Sequence, residues 1–409
     1  MSELLDRFLR YVRINTQAQE GSGSYPSSPG QWELAKLLEQ ELRAMGASDV
    51  ELTEHALVYA TLPPTVNEPV PTIAWLAHMD TSPEYSGNQV KPIVHASYRG
   101  GDIPLPGDPN QVIRVSTCPE LKDVVGKTLI TSDGTTLLGA DDKAGVAVIM
   151  QAAAYLLAHP NLPPGPIRLC FTCDEEIGHG VDHLDPAHLG AVAAYTLDGA
   201  RPGEFEGESF SADKATVTIT GVLIHPAIAQ GKMVNALKLA AELIEKLPKD
   251  RFSPETTSRR ESFVHPYSME GGVSQVTLRF LLRSFHTPEL AEQAAYLQQL
   301  ASELMAKYPA SRITVQTEKQ YRNMADGMAR EPRAIPYLEQ AITRAGLVPK
   351  QLSIRGGTDG SRLTEMGIPT PNLFTSEHNI HSPLEWACLE EMEQAVQVLT
   401  ELAQVWAGK

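Results

Sequence analysis

Hydrophobic positions along the chain change texture twice. In residues 1–13 (MSELLDRFLRYVR), Leu4, Leu5, Phe8, Leu9 and Val12 recur every three or four positions between charges, which predicts an amphipathic helix. A second helix of this kind is predicted over 34–45. Residues 71–77 (PTIAWLA), 167–171 and 191–197 are short apolar runs suited to buried strands, and 145–157 is apolar on all sides, as a buried helix is. Residues 83–131, rich in Gly, Pro and Asp with β-branched patches such as 111–115, predict hairpins and loops at a surface. Strands alternating with helices predict an α/β domain: a mixed, mostly parallel sheet flanked by helices.

After Ser209 the pattern becomes that of half-exposed strands and helices. Residues 215–222 alternate Val, Ile and Thr, 233–247 and 289–307 are helical, and 274–283 and 312–317 are strand-like. This β-α-β-α-β run resembles a ferredoxin-like α+β module. A helix over 333–345 then returns the chain to its first texture. The economical division is a discontinuous catalytic domain, 1–209 and 320–409, with a second domain, 210–319, inserted into it.

Acids outnumber bases 50 to 34, for a formal charge of −16 over 409 residues. That balance argues against a nucleic-acid or anionic-membrane partner, which clustered Lys and Arg would serve. No uncharged apolar run reaches membrane-spanning length, and the charged N-terminus has no signal-peptide core. Only four cysteines are present, pointing to a reducing compartment and so to the cytoplasm. Cys170 and Cys173 form a CxxC, but in the strand-like context IRLCFTCDEE residues three apart face opposite ways and cannot share a metal.

Chemistry gathers where predicted strands end. His78 and Asp80 lie two apart at the close of 71–77 and share a face; in open α/β sheets that carboxyl edge is where ligands bind. Alone the pair is a weak signal and reads first as a surface His–Asp contact. Asp141 and Asp142, in GADDKAG, enter the buried helix, where acids also simply favour a helix N-terminus. Asp174, Glu175 and Glu176 follow directly from strand 167–171 and would repel one another unless a cation or proton compensates. Asp198 closes 191–197, and His378 and His381 share a late loop. Imidazole and carboxylate donors without cysteine suit Zn²⁺, Mn²⁺ or Co²⁺, and two such ions bridged by a carboxylate and a water form a hydrolytic site.

The segments HMDTSP, GADDKAG, DEEIG, LDG and HNIHSP, in that order, together with HPAIAQGKMVNA and RGGTDGS, resemble the aminoacylase and glutamate-carboxypeptidase superfamily of dizinc hydrolases through nearly the whole chain, and its tripeptide-aminopeptidase branch most. The resemblance implies a zinc-peptidase-like sheet with the inserted domain as a lid. It implies His78, Asp141 and Asp198 on one zinc and Asp141, Glu176 and His381 on the other, with Asp141 bridging. Asp80 would orient His78, and Glu175 would be the general base for the bridging water. His225, Asn235, Arg283 and Arg355 match positions that resemble the family's substrate contacts; from the residues alone each reads as structural. The implied function is release of the N-terminal residue from short peptides, tripeptides above all, by a protein compatible with a homodimer. Its rivals are a related dipeptidase, carboxypeptidase or N-acyl amino acid deacylase, and a non-catalytic peptide-binding homologue. The chain departs from the family pattern at Cys173, at residues 225–228, at Ser284 and His286, and at Ser382-Pro383. None of these departures removes an implied ligand.

Overall fold

The computed structural model describes residues 2–162 and 164–409; residue 1, within the predicted N-terminal helix, lies outside them. The chain forms two compact units. The larger comprises residues 1–207, 327–352 and 358–409, the smaller 208–326 and 353–357.

The larger unit is built on an eight-stranded sheet in the order Ser48–Leu52, Val58–Leu62, Ile167–Thr172, Ile73–His78, Ala193–Leu197, Asn372–Leu373, Glu204–Ser209, Lys350–Ile354. Ile73–His78 runs parallel to both Ile167–Thr172 and Ala193–Leu197, with His78 opposite Thr172 and Leu76 opposite Thr196. The strand period of two divides its side chains between the sheet faces: Ile73, Trp75 and Ala77 join the main core, and Ala74 and Leu76 a second one. The main core is closed by the helices Glu3–Tyr11, Pro29–Met45, Ala140–Ala158, Ala334–Arg344 and Leu389–Trp406. Pro29–Met45 starts earlier than its apolar stripe suggests because Pro29 suits the first turn, and it stops at Gly46, whose φ of 86° is the left-handed cap. Residues 83–131 are not merely surface loops. Leu105, Leu121 and Leu129 pack with Trp386 into a small core of their own.

The smaller unit is a four-stranded antiparallel sheet, ordered Phe263–Gly271, Gln275–Ser284, Ser211–Thr220, Arg312–Tyr321, with Ala236–Glu245 and Glu289–Lys307 packed on it. Ala215, Val217 and Ile219 point inward, with Thr216 and Thr218 half-buried between them. The predicted β-α-β-α-β run lacked Phe263–Gly271. Pro266 and Gly271 weaken its strand signature, and it tolerates both because it is an edge strand with a register shift between Pro266 and Ser268. Among the described residues no helix is long and apolar enough to cross a membrane.

Candidate metal centre

Parallel strands in register bring their carboxyl ends to one edge of the larger unit's sheet. His78 ends its strand, Asp198 follows Leu197, and Glu175–Ile177 make a single 3-10 turn just after Thr172. Asp141 arrives from the start of Ala140–Ala158, where Asp141 and Asp142 keep non-helical backbone angles, so the regular helix begins after them. Gly145 lets that helix approach the sheet: a Cβ there would stand 2.3 Å from the Leu197 carbonyl oxygen. His381 sits at φ 59° in a loop that also holds Ser376 and Asn379 in the left-handed region.

Two groups of three result, each with ligand atoms within 4.8 Å of one another: His78, Asp141 and Asp198, and Asp141, Glu176 and His381. Asp141 belongs to both. Its Oδ1 lies 3.0 Å from His78 Nε2 and its Oδ2 3.1 Å from His381 Nε2, and His381 Nε2 is also 3.0 Å from Glu176 Oε2. Asp80 makes three contacts at once. Its Oδ1 is 3.4 Å from His78 Nδ1, and its two oxygens accept the N–H groups of Glu175 and Glu176 at 3.1 Å each. Glu175 is half-buried beside Glu176 and belongs to neither group.

Crowded burial sets the electrostatics. Burial, then the Asp141 charge, pushes Glu176 and Asp198 each up to about 8. Burial also holds Glu175 well above the ordinary carboxylate range, with Asp198, Asp359 and Glu176 adding to it. Burial opposes the charge on His381, but Asp141 and Glu176 outweigh it and raise it to about 11. Acids that raise one another in this way favour an added positive charge. Glu176 Oε1 is buried with no hydrogen-bond partner, a carboxylate oxygen free to take a cation. A donor set of imidazole and carboxylate fits zinc, manganese or cobalt.

Other residues that hold this arrangement were not assigned from sequence. Glu385 accepts the backbone N–H groups of Leu138, Gly139 and Asp141 at 2.7, 2.8 and 3.0 Å, fixing the GADD turn. Asp142 accepts from His78 N at 3.0 Å and from Gly145 N at 3.0 Å. Asp359 accepts from Thr172 Oγ1 at 2.7 Å. The available signal was position: Asp142 stands beside Asp141, Asp359 falls in RGGTDGS, and Glu385 lies four residues after His381. His378 lies outside both groups, stacked on Trp386 with Nε2 2.9 Å from Glu391. All four cysteines are free and buried.

The four predicted substrate contacts lie in the smaller unit, in local roles. His225 is exposed, and its Nδ1 accepts from Ala227 N. Asn235 caps Ala236–Glu245, accepting from Leu237 N at 2.9 Å. Arg283 is buried, donating to the carbonyls of Asp213 and Leu282 with its guanidinium over Tyr321. Arg355 is half-buried near the rings of Phe210 and Phe263, and donates to the Arg259 carbonyl and to Thr257 Oγ1.

Residues 133–405 match the model of peptidase family M20/M25/M40. The whole chain is 43% identical to a peptidase T of Geobacillus kaustophilus, covering 99% of it, and 43% identical to one of Halothermothrix orenii, covering all of it. Among solved structures, an aminopeptidase PepT from Bacillus cereus superposes with a TM-score of 0.76 at 24% identity, over 99% of this chain and 98% of that one. A Bacillus subtilis protein described as a dinuclear metal binding peptidase superposes with a TM-score of 0.67 at 16% identity, over 98% and 97%.

Proposed function

The chain belongs to peptidase family M20/M25/M40 and, within it, to the peptidase T proteins, and from that premise we propose a metal-dependent aminopeptidase that releases the N-terminal residue of short peptides, preferentially tripeptides. One observation carries the reading: two ligand trios share Asp141, while Glu175 stands beside them in neither.

We assign His78, Asp141 and Asp198 to one cation, and Asp141, Glu176 and His381 to the other. Both ions are zinc in this reading, with manganese or cobalt as substitutes. When bound, the two cations supply Lewis-acid polarisation of the scissile carbonyl, acidify water and offset the repulsion among the carboxylates. Glu175 moves the proton. Its carboxylate, unengaged by either trio, accepts a proton from the attacking water and delivers it to the leaving amine nitrogen. Asp80 holds His78 by its ring nitrogen and the Glu175–Glu176 turn by its backbone, so one carboxylate couples a ligand to the base. Asp141 sets the spacing of the two histidines through its two oxygens.

His225, Asn235, Arg283 and Arg355 are proposed substrate contacts; either arginine can grip the peptide's terminal carboxylate bidentately, and Arg355 is favoured over Arg283 because Gly356 and Gly357 beside it allow close backbone approach. A cytoplasmic setting is favoured by four cysteines that are all free, and a homodimer is compatible with the reading. The test is metal analysis followed by a panel of di-, tri- and tetrapeptides and N-acyl amino acids. Tripeptides should be cleaved fastest, with release of the first residue. Faster cleavage of N-acyl amino acids or dipeptides would transfer the protein to a neighbouring activity.

A further inference from the structure

Residues 14–31, which run from the end of the first helix into the start of Pro29–Met45, touch three of the segments that supply the metal centre. Ile14 O accepts from the buried Lys143 Nζ at 2.9 Å, Ala18 N donates to Thr81 O at 2.9 Å, and Gln17 Nε2 donates to Tyr85 O at 2.8 Å. The closest engagement is with Asp174. This carboxylate is 1% exposed and sits at φ 60°, a left-handed backbone that disfavours a side chain. Its oxygens accept from Ser27 N at 2.6 Å, from the Ser27 hydroxyl, and from Gln31 Nε2 at 2.6 Å. The Gln31 amide closes the loop: its Oε1 accepts the Asp174 N–H at 3.1 Å. Gln31 itself is fully buried.

Three consecutive N–H groups are therefore pinned by two side chains. Asp174 N goes to Gln31, and Glu175 N and Glu176 N go to the two oxygens of Asp80. Asp80 approaches from the strand that carries His78, and Gln31 from the helix Pro29–Met45. A single 3-10 turn of three residues has too few internal hydrogen bonds to fix its own place, and buried polar groups left without partners are costly. The turn is located from outside.

We propose that Gln31 and Ser27, acting through Asp174, are positioning residues for the Glu175–Glu176 turn, so that the first turn of Pro29–Met45 and the residues just before it set where the base and one ligand stand. This rests on the assignment of Glu175 as base. Gln31 touches no reacting atom; it fixes the backbone from which the base projects. Displacing a reacting group by about 1 Å costs on the order of 10²-fold in rate, and loss of an outer partner of a metal site about 10–100-fold in activity or affinity.

Gln31→Ala should lower kcat about 10–100-fold while KM stays near the wild-type value, because the substrate's own contacts are untouched. Gln31→Glu places a carboxylate against Asp174 and should be worse. Adding Asp174→Asn to it exchanges donor for acceptor across the same contact and should restore much of the loss, an interaction a double-mutant cycle resolves. Hydrogen exchange reads the same event without activity. Amides of 174–176 should exchange at least tenfold faster in Gln31→Ala, while those of Ile73–His78 stay protected. Acceleration spread evenly over the larger unit, unchanged exchange at 174–176, or no recovery in the double variant would each overturn the proposal. A wild-type protein that cleaves no tripeptide defeats the aminopeptidase reading instead, and the exchange result still decides whether Gln31 holds the turn.

Discussion

In the larger unit, Glu176 keeps a buried carboxylate oxygen without a hydrogen-bond partner and Asp141 stands between two imidazoles. In the smaller unit, Asn235 uses its side-chain oxygen on a helix N-terminus and Arg283 turns its guanidinium to two backbone carbonyls. Both sets came from the same kind of motif resemblance, yet their neighbours treat them in opposite ways. A buried polar atom without a partner costs about 1–3 kcal/mol, so a fold that retains one next to other acids has kept room for a ligand. A polar atom already engaged by backbone is explained by the fold. In the first case the geometry supports the proposed role; in the second it has to be shown by substrates.

The sharpest break between the two sets is at Glu175. Glu175→Gln should cost about 10²–10⁴-fold in turnover and leave metal content near normal, since the residue belongs to neither ligand trio. Measured metal per protein decides the matter: lost metal, or full activity, would remove Glu175 from its role. The smaller unit is tested by the substrate's far end. Amidating the C-terminus of a good tripeptide should lower wild-type kcat/KM by about 10–100-fold, the worth of a charge-assisted contact of roughly 1.5–3 kcal/mol. Arg355→Ala should lose nearly the same on the free acid and be indifferent to amidation. Equal cleavage of acid and amide by the wild type would end the idea that a carboxylate is read.

The smallest effect separates cap from contact. Asn235→Ala should lower stability by about 1 kcal/mol through loss of the helix cap, and Asn235→Ser should recover it. If Asn235 also touches substrate, the Ser variant will melt like the wild type but show a raised KM. If it melts and turns over normally, Asn235 is a cap only.

Several elements and the edge that carries the metal set are readable in the sequence. Glu289–Lys307 was predicted with its observed bounds because its apolar stripe persists over five turns and is bordered by charge. His78, Asp198 and Glu175–Glu176 could be placed at one edge because each follows an apolar run, and strand ends in a parallel sheet share an edge. The edge strand Phe263–Gly271 was invisible because an edge needs neither a continuous apolar run nor a free N–H at every position. Asp174, Asp359 and Glu385 stand in or near segments that the resemblance singled out, but their supporting role was hidden for a different reason. Each acts by accepting hydrogen bonds from residues remote in sequence, from Gln31 across 143 positions and from Asp141 across 244, and no local spacing encodes that.

The central claim is that one carboxylate, Asp141, joins two cation sites in the larger unit. Calorimetric zinc titration of the apoprotein, wild type and two variants, tests it most directly. Two zinc ions should bind per wild-type chain. His381→Ala should weaken one site chiefly and leave the other close to its wild-type affinity, whereas Asp141→Ala should weaken both, because a bridging carboxylate also offsets the repulsion between the ions. Equal stoichiometry and affinity in the two variants, or a single zinc in the wild type, would contradict the account.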